Sequence, residues 1–300
     1  MAREILVTGA SGFVGRTLVP ALLARGYAVS ALGRETLRPD WLPAPVRWLC
    51  ADLRQAAALK AVGGGVWGVM HLAGDTVPSQ FSSPLAQLDN VAMAMQVVEE
   101  VRFERLLFIS SCHVYAASAT MLSENSLVRP RGRYGLSKHL CEQVMLANLD
   151  RHDIRVARPF NHLGPHMRPE LMAPALLERI RLEKGSGVPL RMQGLDSTRD
   201  FLDVRDIAEA YVRILELEAP AERIFNVASG VARRVSELAA AALALLGDGQ
   251  RQVVFQGTRN SSDDTDYLVG DATRLRRATG WAPRHSLAET LRSMQSDARA

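Results

Sequence analysis

The stretch RYGLSKHL places Tyr134 and Lys138 four residues apart in a helical pattern, so both side chains leave one helix face. A lysine cation beside a phenol favours the phenolate and draws its pKa toward neutrality, which makes tyrosine a usable general acid or base. Upstream, ISSCHVYA (109–116) sets Ser110, Ser111, Cys112, His113 and Tyr115 together directly after the apolar run Leu106 to Ile109. A serine hydroxyl at that strand end would hold the substrate oxygen that gains or loses the proton. A YxxxK pair on its own recurs by chance, so its meaning depends on what the rest of the chain brings to it.

Short apolar runs alternate with amphipathic stretches through the first half. Glu4 to Thr8, Tyr27 to Leu32, Val46 to Leu49, Val66 to Leu72, Arg105 to Ser110 and Ile154 to Arg158 read as strands. Helical patterns lie between them, at Gly12 to Arg25, Pro84 to Val101 and Arg133 to Leu149. That alternation produces a parallel sheet covered on both faces, an α/β doubly wound fold of the Rossmann kind. Beyond Pro159 the pattern loosens into loops, with helices expected at Leu171 to Glu183, Val204 to Leu217, Val235 to Leu246 and Ser286 to Ser296. The division expected is a dinucleotide-binding domain over 1–160 and a smaller substrate lobe, mainly 161–300, interleaved with it.

ILVTGASGFVG puts Gly9, Gly12 and Gly15 between the first strand and the first helix, with Ser11, Phe13 and Val14 in the same loop. Glycines there permit a tight turn and close backbone approach to a pyrophosphate, which the helix N-terminus stabilises with free N–H groups. Asp52 and Leu53, after the third strand, are placed to meet an adenine. In MHLAG, Leu72, Ala73 and Gly74 would bring backbone against the cofactor, and Lys138 would reach the nicotinamide ribose. An NAD site normally carries an acid at the end of the second strand for the ribose 2′-hydroxyl, whereas SALGRET offers Gly33 and then Arg34. Arg34 suits the 2′-phosphate of NADP, with nothing acidic seen to repel it. A solvated surface arginine is the alternative, and NAD stays open as the second cofactor.

The bulk numbers agree with a globular enzyme. At 300 residues the chain can bury a large core, and 47% hydrophobic with 23% charged residues argues against global disorder. Net charge is only +4, and of 36 basic residues only Lys60, Lys138 and Lys184 are lysine, with the arginines scattered. This is compositional bias rather than a nucleic-acid surface. Three unevenly spaced cysteines form no metal-binding spacing and imply a reduced, cytoplasmic interior. No signal-peptide pattern opens the sequence, and no apolar run approaches the roughly 18 residues that span a bilayer.

TGxxGxxG, HLAG, the serine pair before Val114-Tyr115, YxxxK and RPFN together resemble the extended short-chain dehydrogenase/reductase family over nearly the whole chain. The resemblance implies a Rossmann domain with a lobe that binds a nucleotide-diphosphate sugar. It implies Ser111, Tyr134 and Lys138 as the catalytic set, Pro159 beside the cofactor, and a homodimer through the helices around 84–101 and 133–149. Val114-Tyr115-Ala116 departs slightly from the family's VYG. Within the family, ARPFNHLGP, RDFLDVRDIAEAY, FNVASG and ATGWAP look most like the GDP-4-keto-6-deoxy-D-mannose reductases. By that likeness Asn161 and Arg199 touch the sugar nucleotide, and Arg199 suits its diphosphate as a bidentate donor. Arg259 is a weaker candidate for the same diphosphate. Each arginine has an ordinary salt bridge as its alternative role.

Three functions are open at this level: an NADPH-dependent 4-ketosugar reductase, a nucleotide-sugar 4-epimerase that retains NAD, and a dinucleotide-binding sensor without turnover. A 4,6-dehydratase is disfavoured, because Cys112-His113 stand where dehydratases of the family carry an Asp-Glu pair. His113 is expected to hydrogen-bond a sugar hydroxyl and set specificity; a buried structural histidine and a proton-exchange catalyst are the alternatives.

Overall fold

In the computed structural model, which describes residues 2–55, 58–76, 85–257 and 266–297, the first strands are apolar throughout because both faces of their sheet are covered. Ile5, Leu6 and Val7 of β1 (Glu4–Thr8) are fully buried, and every residue of β4 (Val66–His71) is buried. With β2 (Ala28–Gly33), β3 (Arg47–Cys50), β5 (Phe103–Ile109) and β6 (Asp153–Pro159) they form an all-parallel sheet in the order β3-β2-β1-β4-β5-β6. Strand order reverses between β1 and β4, which opens a crevice above their C-terminal ends. α1 (Phe13–Ala24) covers one face, while α2 (Ala86–Glu100) and α3 (Gly132–Leu146) pack together on the other.

Beyond residue 160 come β7 (Asn161–Leu163), α4 (Met172–Leu182), β8 (Leu190–Gln193), β9 (Thr198–Asp203) and α5 (Val204–Glu216). They are followed by β10 (Ile224–Val227), β11 (Ala232–Arg234), α6 (Val235–Leu245), β12 (Val253–Gln256), β13 (Tyr267–Leu268), α7 (Thr273–Thr279) and α8 (Leu287–Asp297). Three of these elements return to the first layer, α7 among them through Leu275 against α5 and β10. The apolar face of α5, with Ile207, Tyr211 and Ile214 fully buried, packs on α1 and the main sheet, and β10 pairs in parallel with β6 as the seventh strand. Arg155 of β6 fixes that return by donating to the carbonyls of Ile214, Leu215 and Leu217 at the end of α5.

The rest forms a second core, in which α4, α6 and α8 enclose Leu176, Ile180, Leu238, Leu243 and Leu291 against the β8–β12 pair. β7, β11 and β13 gather on β9. The expected helices match α1 to α6 and α8 to within a few residues at each end. α7 and the strands after 160 are absent from the expectation, since elements of two to seven residues leave too few positions to show a period.

Candidate active site

At the dinucleotide end, Gly9 takes a left-handed turn (φ 67°), and a Cβ there would lie 2.8 Å from the Ala73 amide nitrogen. The β1–α1 turn therefore presses backbone to backbone on Leu72–Gly74, as only glycine permits. Thr8 Oγ1 accepts from the Ala73 N–H at 3.2 Å and contacts His71 Nδ1 at 2.8 Å. Burial, helped by the Lys138 charge, pulls His71 down to about 3, so the imidazole is neutral at physiological pH. Gly12 is exposed and caps α1 without a side-chain bond, so the first helical N–H groups face the cleft. Gly9, Ser11, Gly12, Phe13, Val14, Gly15, Leu72, Ala73, Gly74 and Pro159 all line one cleft of about 1100 Å³. That volume exceeds what a single drug-sized ligand fills, and the turn fits a dinucleotide pyrophosphate.

Arg34, Asp52 and Leu53 line the same end. The Arg34 guanidinium is exposed and makes no hydrogen bond or ion pair among the described residues. Asp52 is committed to Arg54, which donates from Nε at 3.0 Å and Nη2 at 2.7 Å and holds the carboxyl below its ordinary range. The expectation that nothing acidic stands at the end of β2 needs correction. Glu35 also lines the cleft, and its Oε2 lies 2.6 Å from where a Gly33 Cβ would stand. The glycine leaves room for the carboxylate to fold back, a local arrangement that strand pattern does not reveal.

The catalytic corner is built from β5 and α3. Ser111 opens a short 3-10 turn at Cys112–Val114, its hydroxyl accepting the His113 N–H at 3.2 Å. A Cβ on Gly135 would stand 2.3 Å from the His113 carbonyl oxygen, so glycine lets α3 sit directly on that turn. The Tyr134 phenol thereby reaches the Ser111 hydroxyl and hydrogen-bonds it. Lys138 is buried one helical turn on, donating to the Ile109 carbonyl at 2.9 Å with its ammonium 5.2 Å from the Phe108 ring centre.

Tyr134 departs from expectation. Burial pushes its phenol up to about 12, and the Ser111 hydrogen bond offsets only part of that shift. Lys138, itself lowered by burial, spends its ammonium on a carbonyl. Tyr134 keeps an edge open to the cleft, so the direction is what counts: the phenol is protonated at neutral pH.

Asn90, which the motif reading passed over, ties this corner to the dinucleotide end. Its amide donates to Ser137 Oγ at 3.0 Å and to the Asp75 carbonyl at 3.1 Å, and its oxygen accepts the Asp75 N–H at 2.7 Å. Farther along α3, Glu142 accepts two hydrogen bonds from Arg158, at 2.8 and 2.6 Å, in a buried pair that anchors α3 to β6.

ISSCHVYA thus divides by role. Ser111 meets Tyr134; Cys112 packs in the core with its thiol pushed up to about 12 by burial; Tyr115 donates to Asn226 Oδ1 at 2.7 Å. His113 is exposed to the cleft with its ring edge-on to Tyr134 at 5.8 Å, which removes the buried structural role.

Across the cleft, Asn161 donates to the Asp200 carbonyl at 3.3 Å. Arg199, on β9 between β11 and β13, donates to the Thr198 carbonyl at 3.0 Å, and its charge acts on Cys112 of the cleft. Arg259 lies outside the described residues. Two wall residues carried no signal beyond their neighbourhood to RPFN. His162 stacks on Phe13 at 5.5 Å with its Nδ1 3.0 Å from the Phe160 carbonyl, and Arg168 donates to Thr76 Oγ1 at 2.6 Å.

A doubly wound sheet, a glycine turn under a dinucleotide-sized cleft and a joined Ser111–Tyr134 pair beside Lys138 define a nicotinamide-dependent oxidoreductase of the extended short-chain dehydrogenase/reductase type. Residues 5–228 match the NAD dependent epimerase/dehydratase family, and the chain belongs to it. The family's named reductase and epimerase members are enzymes, which leaves the non-catalytic sensor without support. GDP-6-deoxy-D-mannose reductase of Pseudomonas aeruginosa is 32% identical, with 99% of this chain and 97% of that protein covered. UDP-glucose 4-epimerase of Azospirillum brasilense is 28% identical over 94% of this chain and 88% of its own length. Among solved structures, RMD from Pseudomonas aeruginosa complexed with NADPH superposes with a TM-score of 0.82 at 28% identity, covering 100% of this chain and 99% of that one.

Proposed function

We propose that the protein reduces the C4 ketone of a nucleotide-diphosphate 4-keto-6-deoxy sugar with NADPH, and that GDP-4-keto-6-deoxy-mannose is the substrate. The Tyr134 phenol carries the reading. It stands beside Ser111 and Lys138 in the cleft and, like any phenol at neutral pH, is protonated, and a protonated acid beside the carbonyl oxygen is what reduction requires. A nicotinamide dinucleotide held over the glycine turn would supply the hydride to C4. As negative charge develops on the carbonyl oxygen, Tyr134 gives it the phenolic proton while Ser111 Oγ, already bonded to the phenol, orients that oxygen. Ser111 and the neighbouring Lys138 cation then stabilise the phenolate until solvent reprotonates it. His113, edge-on to Tyr134, is placed to hydrogen-bond a sugar hydroxyl beside the ketone.

Support for NADPH comes from Arg34, exposed in the cleft without a carboxylate partner among the described residues, and from the 28% identical RMD structure complexed with NADPH. One observation favours a second reading. The Glu35 carboxylate folded over Gly33 suits a ribose 2′-hydroxyl, hence NAD, and with it a 4-epimerase that retains its cofactor.

A homodimer suits the exposed Leu88 and Met95 of α2 beside Leu136 of α3, and three unpaired cysteines suit a cytoplasmic setting. Among the described residues no helix is long and apolar enough to cross a membrane.

Incubation with NADPH and a panel of nucleotide 4-ketosugars tests the function. The expected result is stoichiometric cofactor oxidation with a product heavier by two hydrogens. Interconversion of two hexoses without net cofactor use would replace this reading with the epimerase.

A further inference from the structure

Among the described residues, two buried hydroxyls that line the cleft have no hydrogen-bond partner, Ser110 at the end of β5 and Tyr211 on α5. The serine hydroxyl can swing about one bond to a different acceptor. Tyr211 has no such freedom: its ring is fully buried in the layer packed between α5, α1 and the main sheet, which fixes where its hydroxyl stands. A buried hydroxyl without a partner destabilises the fold, and phenylalanine would fill the same space without that cost. The tyrosine therefore points to a partner that comes from outside the chain.

The position of the hydroxyl narrows the choice. Burial raises the Tyr211 pKa well above that of an ordinary phenol and Tyr134 raises it further, so the two phenol tips lie within electrostatic reach of each other. Val14, Ile109 and Phe160 belong to the same packed layer and also line the cleft. Tyr211 thus approaches from beneath the cleft floor, between the glycine turn and Pro159. A dinucleotide with its pyrophosphate on the glycine turn and its C4 toward a ketone at Tyr134 lays its nicotinamide across that floor, with the sugar on the far side of the ring. A neutral phenol in a buried place suits a neutral partner. The carboxamide is neutral and offers one acceptor oxygen and two N–H donors. We propose that the Tyr211 hydroxyl bonds the nicotinamide carboxamide and so positions the ring; the inference rests on the dinucleotide reading of the cleft and is independent of the sugar.

Calorimetric titration of NADP and of 2′-phospho-ADP-ribose, the same molecule without nicotinamide, tests this in wild type and Tyr211→Phe. The unfolding midpoint of both proteins without cofactor completes the test. Tyr211→Phe is expected to weaken NADP about three- to tenfold, the size of one neutral hydrogen bond, and to leave 2′-phospho-ADP-ribose unchanged. Its midpoint without cofactor is expected to equal or exceed that of wild type, since the variant buries no unbonded hydroxyl. NADP affinity that survives the substitution overturns the inference and leaves the reductase reading intact. An equal loss for both ligands overturns it as well, by making the hydroxyl a support for the floor rather than a contact to the ring. A lower midpoint without cofactor would show that the hydroxyl is bonded within the fold, with the same consequence. If wild-type protein binds neither NADP nor NAD, the dinucleotide reading fails and takes the inference with it.

Discussion

The two ends of the cleft are built on opposite plans. Around Ser111, Tyr134 and Lys138 the side chains are tied to protein, Tyr134 to Ser111 and Lys138 to the Ile109 carbonyl, and Glu142–Arg158 and Asn90 hold the helix from behind. At the end of β2, and on the loop before α4, charged groups stand in the open: Arg34 and Arg168 have no carboxylate partner among the described residues, and Glu35 folds back over Gly33. Groups that handle a proton must be positioned before substrate arrives, because misplacement of about 1 Å costs orders of magnitude in rate. Groups that choose among ligands keep their hydrogen-bonding capacity for the ligand.

The contrast can be broken most decisively at Tyr134. Tyr134→Phe should lower turnover by about 10²-fold or more with little change in cofactor binding, since the ring still packs and only the proton is lost. Near-normal turnover would place the acid elsewhere. The phenol's raised pKa adds a sign. The donating form persists below the folded-state value near 12, so reduction should stay level through about pH 10, where an unperturbed tyrosine is half ionised. A rate that falls at lower pH, tracking Tyr134 ionisation, would mean that Lys138 or bound cofactor draws the phenol down.

Next in size is the anchor behind the helix. Glu142→Ala strands the Arg158 charge in the core, and a loss of about 3 kcal/mol or more in stability is expected, seen as a lower unfolding midpoint. A stability equal to wild type would show that the corner does not depend on that pair.

The open end should respond more gently and in opposite directions. Arg34→Ala should weaken NADPH about tenfold while sparing NADH, and equal losses would return Arg34 to the solvated surface. Glu35→Gln should favour NADPH over NADH by a few-fold, by removing a negative charge beside the 2′-phosphate. No change in the NADPH-to-NADH ratio would mean that the carboxylate swings clear of the cofactor.

How much of this was legible beforehand follows the same divide. The six alternating strands, the glycine turn and the Tyr134–Lys138 spacing each state their geometry locally: an apolar run buried on two faces, a left-handed turn, two side chains one helical turn apart. Ser111 was identified over Ser110 by its offset from Tyr115, and the structure brings that hydroxyl to the phenol. Asn90 and Arg168 sit in stretches whose periodicity speaks only of helix or loop, and their contacts reach across 47 and 92 residues of sequence separation.

By itself, then, the sequence determined the layered α/β plan and the glycine turn after β1, and it put Tyr134 and Lys138 on one helix face, because these depend on spacing within one element or one turn. Tertiary structure decided the rest. It set the direction in which the Tyr134 pKa moves from an ordinary phenol's, which follows from how much water and protein surround the phenol and where Lys138 points. It put the Glu35 carboxylate over Gly33, which local side-chain packing controls. And it brought Arg168, on the loop before α4, across to Thr76, a contact between residues 92 apart in sequence.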